Sequence, residues 1–386
     1  MIFSLEALQA HHGDSLLLHA GTDDKPVLVL IDGGPSGIYE TILEPRLEDL
    51  RAERAPDGAL RIDLAMVSHI DDDHLAGMVD LGGALAELQD DQQALPYDVR
   101  VLWHNSFDDI IGNGADELRA AALEVLSDPV GDPRADEVRA AGLAVVASVG
   151  QGRDLRDQAK KLGWAVNEPF DGPVVLPEEG KRLIKLGGGD VTLTVVCPHA
   201  RQLERLNKAW DKWLKEHPKA VAEGEAETAA FVDTSPYNLS SIVVLAEAGG
   251  KTMLLTGDAR GDHILAGLDQ AKIATDGKTK VDLLKLPHHG SIRNLAPEFF
   301  ERITADHYVI SADGRDGNPE TETLELIEGS RRDDDDFTIH LTNHGRKGDL
   351  AKRLDAFLAA KEKSGRTYGV NIREDPATSI RIDLLD

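Results

Sequence analysis

Three apolar runs in this chain end in the same kinds of residue. "LRIDLAMVSH" closes on His69, "KTMLLTGD" on Asp258, and "KVDLLKLPHHGS" on the pair His288 and His289. Short runs of this composition read as buried strands. Strand ends gathered on one edge of a layered fold are a usual place for a binding site. The pattern therefore predicts a layered α/β fold in which three strand ends share one polar cleft.

The first run leads into the densest polar stretch of the chain, "SHIDDDHLAGM", with His69, Asp71, Asp72, Asp73 and His74 within six positions. His69 and Asp71 have the alternate spacing that points both side chains to one side of an extended segment. Asp73 and His74 stand at the turn into a helix. Aspartates suit a helix N-terminus, which explains one or two of them but neither histidine. Carboxylates crowded out of water repel one another unless cations sit among them. Imidazole and carboxylate together suit zinc, manganese or iron rather than calcium. Asp72 is expected to face solvent or cap the helix.

The rest of the chain fits the same class. "FSLEALQA", "SLLLHAG" and "PVLVLIDGG" read as strands, and "TILEPRLEDLRAER" as a helix with a charged face. Residues 105–180 are rich in Ala, Leu, Arg and Glu and read as a helical insertion, a candidate cap over the cleft. "DVTLTVVCPH", "SSIVVLAEAGGKTMLLTGD", "ADHYVISADG" and "DFTIHLTNHG" resume the strand pattern. Between the first two of these, "ARQLERLNKAWDKWLKEHPKAVAEGEAETAAF" reads as a helix with a polar tail. "KGDLAKRLDAFLAAKEKSG" and "TSIRIDLLD" close the chain as helix and strand, and "RRDDDD" at 331–336 reads as a solvated turn. One domain over 1–386 is expected, with 313–386 as an α/β part that completes it.

Composition narrows the partners. The formal net charge is −27, which repels nucleic acid and anionic membranes at long range. Bound metal ions can invert that field locally, so an anionic substrate is not excluded. Aromatic residues make up 4%, so platforms for stacking bases are scarce, and a short strand or small phosphodiester suits better than long duplex DNA. A single cysteine, Cys197, forbids an intrachain disulfide and favours the cytoplasm. The opening residues lack a basic and apolar leader pattern, and no apolar stretch reaches the ~18 residues of a membrane span.

Taken in order, His69-x-Asp71-x-Asp73-His74, Thr256-Gly257-Asp258 and His288-His289-Gly290-Ser291 resemble the metallo-β-lactamase superfamily. The branch most similar is the metallohydrolase domain of competence-type DNA-uptake channel proteins, with its "SHxDxDHxGG", "GD" and "PHHGS" motifs. Gly13-Asp14-Ser15 and Asp32-Gly33-Gly34 match that family's opening hairpin, and "NLSSIVVL" from Asn238 matches a further strand. The resemblance covers 1–100 and 186–312.

What the resemblance implies is a four-layer αββα sandwich with two divalent metal ions, zinc or manganese. His69 and Asp71 would serve one metal. Asp73, His74 and His289 would serve the other, and Asp258 would bridge them. Many relatives carry a further histidine before the "GD" strand. Here Asn238 stands in that region and His199 of "CPHA" is the candidate substitute. Asp73 would also orient the nucleophile, and His288, or else His104 of "LWHNS", would protonate the leaving group. Asp14, Asp32, Asn238, Ser291 and Arg293 would support the site or touch substrate.

The implied activity is hydrolysis of a phosphodiester, in a short nucleic acid or nucleotide, through a metal-bound hydroxide. Two other readings share the motifs: a hydrolase of a small ester, lactone or thioester, and a non-catalytic, metal-stabilised interaction protein. In the last, the insertion and the C-terminal extension would meet a protein partner.

Overall fold

The computed structural model describes residues 1–105, 150–201, 203–204, 240–344 and 349–385. Two sheets face each other. The first runs in the order β17 (Ser379–Leu385), β1 (Ile2–Leu8), β2 (Leu16–Thr22), β3 (Lys25–Ile31), β5 (Leu64–Val67), β7 (Val101–His104), β8 (Ala165–Val166). The second runs in the order β16 (Gly369–Ile372), β15 (Thr338–Leu341), β14 (Ile303–Ile310), β13 (Thr279–Lys285), β12 (Lys251–Leu255), β11 (Val243–Ala248), β10 (Val191–Cys197), β9 (Leu183–Leu186).

Side-chain alternation builds the layers. Phe3, Leu5, Leu18, Val29 and Met66 of the first sheet pack against Val195, Val244, Met253, Leu283 and Val309 of the second. Neighbours one position along point the other way. Leu17, Leu30 and Val67 meet Leu47 of α1 (Glu44–Arg54) and Leu75 and Leu81 of α2 (Asp72–Asp90). On the far side, Leu245, Leu254, Leu284 and Ile310 meet Leu265, Phe299, Leu324 and Leu354. Those four lie on the helices Gly261–Gln270, Pro297–Arg302, Thr321–Gly329 and Asp349–Ser364. The result is an α/β sandwich of helix, sheet, sheet and helix layers.

Strand direction puts the motifs on one edge. β3 is parallel to β5, and β12, β13 and β14 are mutually parallel. Their C-terminal ends carry Asp32, Ser68-His69, Asp258, His288-His289 and Ser311. The turn between antiparallel β1 and β2 brings Gly13-Asp14 to the same edge, because Leu16 pairs with Ile31 at the end of β3. The Ile242 N–H donates to the Ser68 carbonyl at 2.8 Å, which ties the two sheets together there.

One expected strand is two. "LRIDLAMVSH" breaks at Asp63 into β4 (Leu60–Ile62), which pairs with β6 (Tyr97–Val99) in a small separate sheet, and β5. The cause is the buried Asp63 carboxylate, which accepts hydrogen bonds from the Leu28 N–H and the Arg61 guanidinium at 3.2 and 2.7 Å. A charge that must be satisfied in mid-run bends the chain out of the first sheet.

At the ends of the chain, β17 pairs with β1 at the edge of the first sheet, while β15 and β16 extend the second. Residues 106–149 of the expected insertion lie outside the described residues. From 150 the chain forms a helix over 150–162, which packs Leu155 and Ala159 on the outer face of the first sheet, and then β8 beside β7. Among the described residues, no helix is long and apolar enough to cross a membrane.

Candidate metal centre

Asp258 lies at the middle of the site. Its Oδ1 is 3.3 Å from His74 Nε2. Its Oδ2 is 3.6 Å from His289 Nε2 and 3.8 Å from both His69 Nε2 and His288 Nε2. Four imidazoles thus turn the same ring nitrogen toward one buried carboxylate. Gly257 makes this approach possible: its φ is +50°, and a Cβ there would lie 2.7 Å from the Ser68 Cβ. Any side chain would push the β12 end away from the β5 end.

The other ring nitrogens are already committed. His74 Nδ1 donates to Asp32 Oδ2 at 2.8 Å. His289 Nδ1 donates to the Ser311 carbonyl at 2.8 Å. The Ser68 hydroxyl gives its proton to Asp32 at 2.7 Å, so His69 Nδ1, 3.1 Å away, donates to the hydroxyl oxygen. Each of the three neutral rings then carries its lone pair on Nε2. His74 Nε2 and His289 Nε2 face each other at 3.3 Å, a repulsive contact unless a proton or a metal cation lies between them. Two Zn–N bonds of about 2.0–2.1 Å at a tetrahedral angle set their nitrogens about 3.3 Å apart.

Carboxylates complete two sets of donors. Asp73 Oδ2 is 3.3 Å from His289 Nε2 and 3.8 Å from His74 Nε2. Asp71 Oδ2 is 3.4 Å from His69 Nε2. Burial opposes protonation of these imidazoles, yet the surrounding carboxylates hold the His69, His74 and His289 pKa values above the ordinary histidine value, His74 most of all. Burial likewise opposes ionisation of Asp258 and Asp73, and the imidazoles beside them override it and hold both well below the carboxylate range. The cluster demands positive charge, and divalent metal ions suit its mixed nitrogen and oxygen donors. Groups of this kind, Asp14/His74/Asp258/His289 and His69/Asp73/His74, have donor atoms within 4.8 Å of one another.

The chain shapes itself around the cluster in two unusual ways. His288 and His289 both have positive φ, at +50° and +55°. Such a backbone costs on the order of 1–2 kcal/mol per non-glycine residue, and here it aims two successive imidazoles at Asp258. At the other side, Gly33 and Gly77 touch so closely that a Cβ on Gly77 would meet the Gly33 carbonyl oxygen at 2.1 Å. This contact seats α2, and with it Asp73 and His74, on the Asp32 loop. The Met78 side chain is buried in the α2 core, and its backbone nitrogen shares the contact, since a Cβ on Gly33 would lie 2.3 Å from it.

Most of the expected residues converge here: His69, Asp71, Asp73, His74, Asp258, His288 and His289 in the cluster, with Asp14 and Asp32 behind it. Asp72 is exposed, as expected, and accepts from the Gln151 amide. Ser291 is buried on the turn after His289, and Arg293 is exposed two residues further along. His104 is buried at the end of β7, with its backbone bonded to the Asn167 amide. His199 is a correction. Its ring nitrogens face the Gln270 Oε1 at 3.2 Å and the His263 carbonyl at 3.1 Å, so it ties β10 to the helix Gly261–Gln270 and is not among the clustered donors. Asn238 lies outside the described residues.

Two residues were missed. Ser68 relays Asp32 to His69. Lys285, fully buried at the end of β13, places Nζ 2.6 Å from Asp14 Oδ2 beneath the cluster. A lone lysine in the apolar run "DLLKLP" was the available signal. Asp14 lies on the Nδ1 side of His289 and His74, at 3.6 and 4.0 Å, so its partner is Lys285 and it backs the rings.

No protein-family model matches the chain. A 98-residue stretch is 31% identical to ComE operon protein 3 of Bacillus subtilis (strain 168), covering 25% of this chain and 12% of that protein. The matched stretch is thus about an eighth of the relative's length. A crystal structure of Zn(2+)-bound PqqB from Methylobacterium extorquens aligns over 99% of this chain and 100% of its own, at TM-score 0.43 and 11% identity. That likeness is too distant to carry a conclusion about this chain. The ordered motifs, the four-layer sandwich and the buried His/Asp cluster at its strand ends make the chain similar, in fold and in site, to the metallo-β-lactamase superfamily.

Proposed function

We propose that the protein is a metal-dependent hydrolase with two divalent cations, acting on a phosphodiester of a short nucleic acid or nucleotide. The observation that carries this reading is the 3.3 Å approach of the two Nε2 lone pairs of His74 and His289, above the Asp258 carboxylate. His69, Asp71 and Asp258 would hold one cation, and Asp73, His74, His289 and Asp258 the other. Charge supports two. Asp14, Asp32, Asp71, Asp73 and Asp258 against Lys285 leave four negative charges, which two divalent cations balance.

When bound, such a pair supplies Lewis acidity to a phosphoryl oxygen and lowers the pKa of a water toward neutrality. The protein's own groups do the rest. Asp73, whose side chain keeps 24% of its surface exposed, orients the attacking water. His288, with 30% of its side chain exposed against 5% for His289, stands at the open edge and protonates the departing oxygen. Asp32, Ser68 and Ser311 fix the ring tautomers, so no imidazole must rotate during turnover.

The test is turnover by zinc- or manganese-loaded protein of bis-p-nitrophenyl phosphate and of single-stranded oligonucleotide, beside p-nitrophenyl acetate and a simple lactone. Phosphodiester turnover that is lost on His74→Ala supports the reading. Turnover of the ester or lactone alone would replace it with the small-ester reading.

A further inference from the structure

The rim of the site holds a cationic group with no carboxylate partner among the described residues, where several other arginines are neutralised. Arg46, Arg61, Arg260 and Arg302 each pair with an Asp or Glu at 2.7–3.0 Å. Arg315, which is exposed, makes no ion pair within 4.0 Å among the described residues. Its Nη1 instead packs against the His12 ring, 3.2 and 3.0 Å from the two ring nitrogens. Burial lowers the His12 pKa, and Arg315 adds to this against the opposing pull of Asp73, Asp313 and Asp316. A neutral imidazole holds the guanidinium in place without cancelling its charge.

The pair is built into the wall of the metal site. Ser311, whose carbonyl accepts from His289, also donates its hydroxyl to the Gly13 carbonyl at 2.7 Å. Gly13 in turn abuts the Asp73 backbone, and the Asp14 N–H donates to the Asp73 carbonyl at 3.2 Å. His12 and Arg315 therefore cap the two segments that flank Asp73. The Arg315 loop is held at two points. The Arg315 N–H donates to Asp313 Oδ1 at 2.9 Å, which engages one oxygen of that carboxylate, and Gly314 with φ of +88° packs against Leu350.

We propose that Arg315, held by His12, is the anion-binding lobe of this site and receives a phosphate group of the substrate next to the one being cleaved. The inference rests on the phosphodiester reading and deepens it. A guanidinium fork matches phosphate oxygens in a way a neutral ester would not use. With a net charge of −27, the protein opposes the approach of any anion, so a fixed cation at the mouth is where such a substrate would be recognised.

The test measures inorganic phosphate binding by calorimetry to metal-loaded wild type, Arg315→Ala, Arg315→Lys and His12→Ala, with metal content determined on each. The expected result is weaker phosphate binding, by about tenfold or more in Arg315→Ala and less in Arg315→Lys and His12→Ala, at unchanged metal content. Equal binding by wild type and Arg315→Ala, or no phosphate binding by wild type, would overturn the lobe. Phosphodiester turnover, measured separately, distinguishes the two failures. A protein that binds phosphate through Arg315 but cleaves no phosphodiester contradicts the hydrolase reading and keeps the lobe. One that cleaves phosphodiesters with equal KM in wild type and Arg315→Ala keeps the hydrolase and loses the lobe.

Discussion

Lys285 Nζ and Asp14 Oδ2 are 2.6 Å apart with both side chains sealed from solvent, directly behind the His289 and His74 rings. Removing one partner of such a pair leaves an uncompensated charge, at a cost of about 3–5 kcal/mol. Lys285→Met is therefore expected to lose stability on that scale, and Asp14→Asn/Lys285→Met to recover most of it. Urea denaturation of chelator-treated protein measures both without a contribution from metal binding. Equal losses in the single and double variants would mean that the pair has no coupling.

The Gly33–Gly77 contact makes a steric prediction. Gly77→Ala places a methyl carbon 2.1 Å from the Gly33 carbonyl oxygen, so α2 must shift. A loss of about 1–3 kcal/mol is expected, with weaker metal binding, because Asp73 and His74 ride on the same helix turn. Gly83→Ala on the same helix is the control, since its Cβ would meet nothing nearer than the Gln158 amide nitrogen at 3.5 Å. Thermal melting and metal titration of the two variants make the comparison.

Acid stability should depend on a group remote from the metal site. Burial would raise the Glu6 pKa, but hydrogen bonds from His19, Arg46 and Ser379 lower it from 4.5 to about 2. A depressed folded-state pKa gives stability that is complete above the unfolded value and lost as pH falls through the folded one. Glu6 is therefore expected to contribute on the order of 3 kcal/mol near neutrality, lost between about pH 4.5 and pH 2. Glu6→Gln should flatten that limb of the stability curve. An unchanged acid limb in the variant would assign it to other carboxylates.

Metal affinity should fall on the acid side. The carboxylates raise the pKa values of His69, His74 and His289, so protons compete for the same Nε2 atoms. Below those raised values each competing proton weakens binding by about tenfold per pH unit. Titration calorimetry in buffers of different ionisation enthalpy reads the protons released. A proton count of zero at pH 6 would contradict this arrangement of donors.

Much of the site was legible in the sequence because strand periodicity and strand-end chemistry are local. His69, Asp258 and His289 each follow an apolar run directly, and parallel strands bring such ends together. What was not legible depends on contacts distant in sequence. Asp63 splits an apparently continuous strand because the Leu28 N–H needs an acceptor. His199 follows an apolar run as the other donors do, but it lies just past the end of β10 and finds Gln270 and His263 first. Lys285 is read as a stray charge until Asp14 is found beneath it. Arg315 has no motif of its own, and its partner His12 stands some 300 positions earlier.

The most direct test of the metal centre is its stoichiometry, by elemental mass spectrometry on protein purified without chelator and after reconstitution with zinc or manganese. Two ions per chain are expected, falling in a His74→Ala/His289→Ala variant that still melts cooperatively. A wild-type protein that holds no metal under either condition would contradict the reading of the facing imidazoles, and with it the hydrolase.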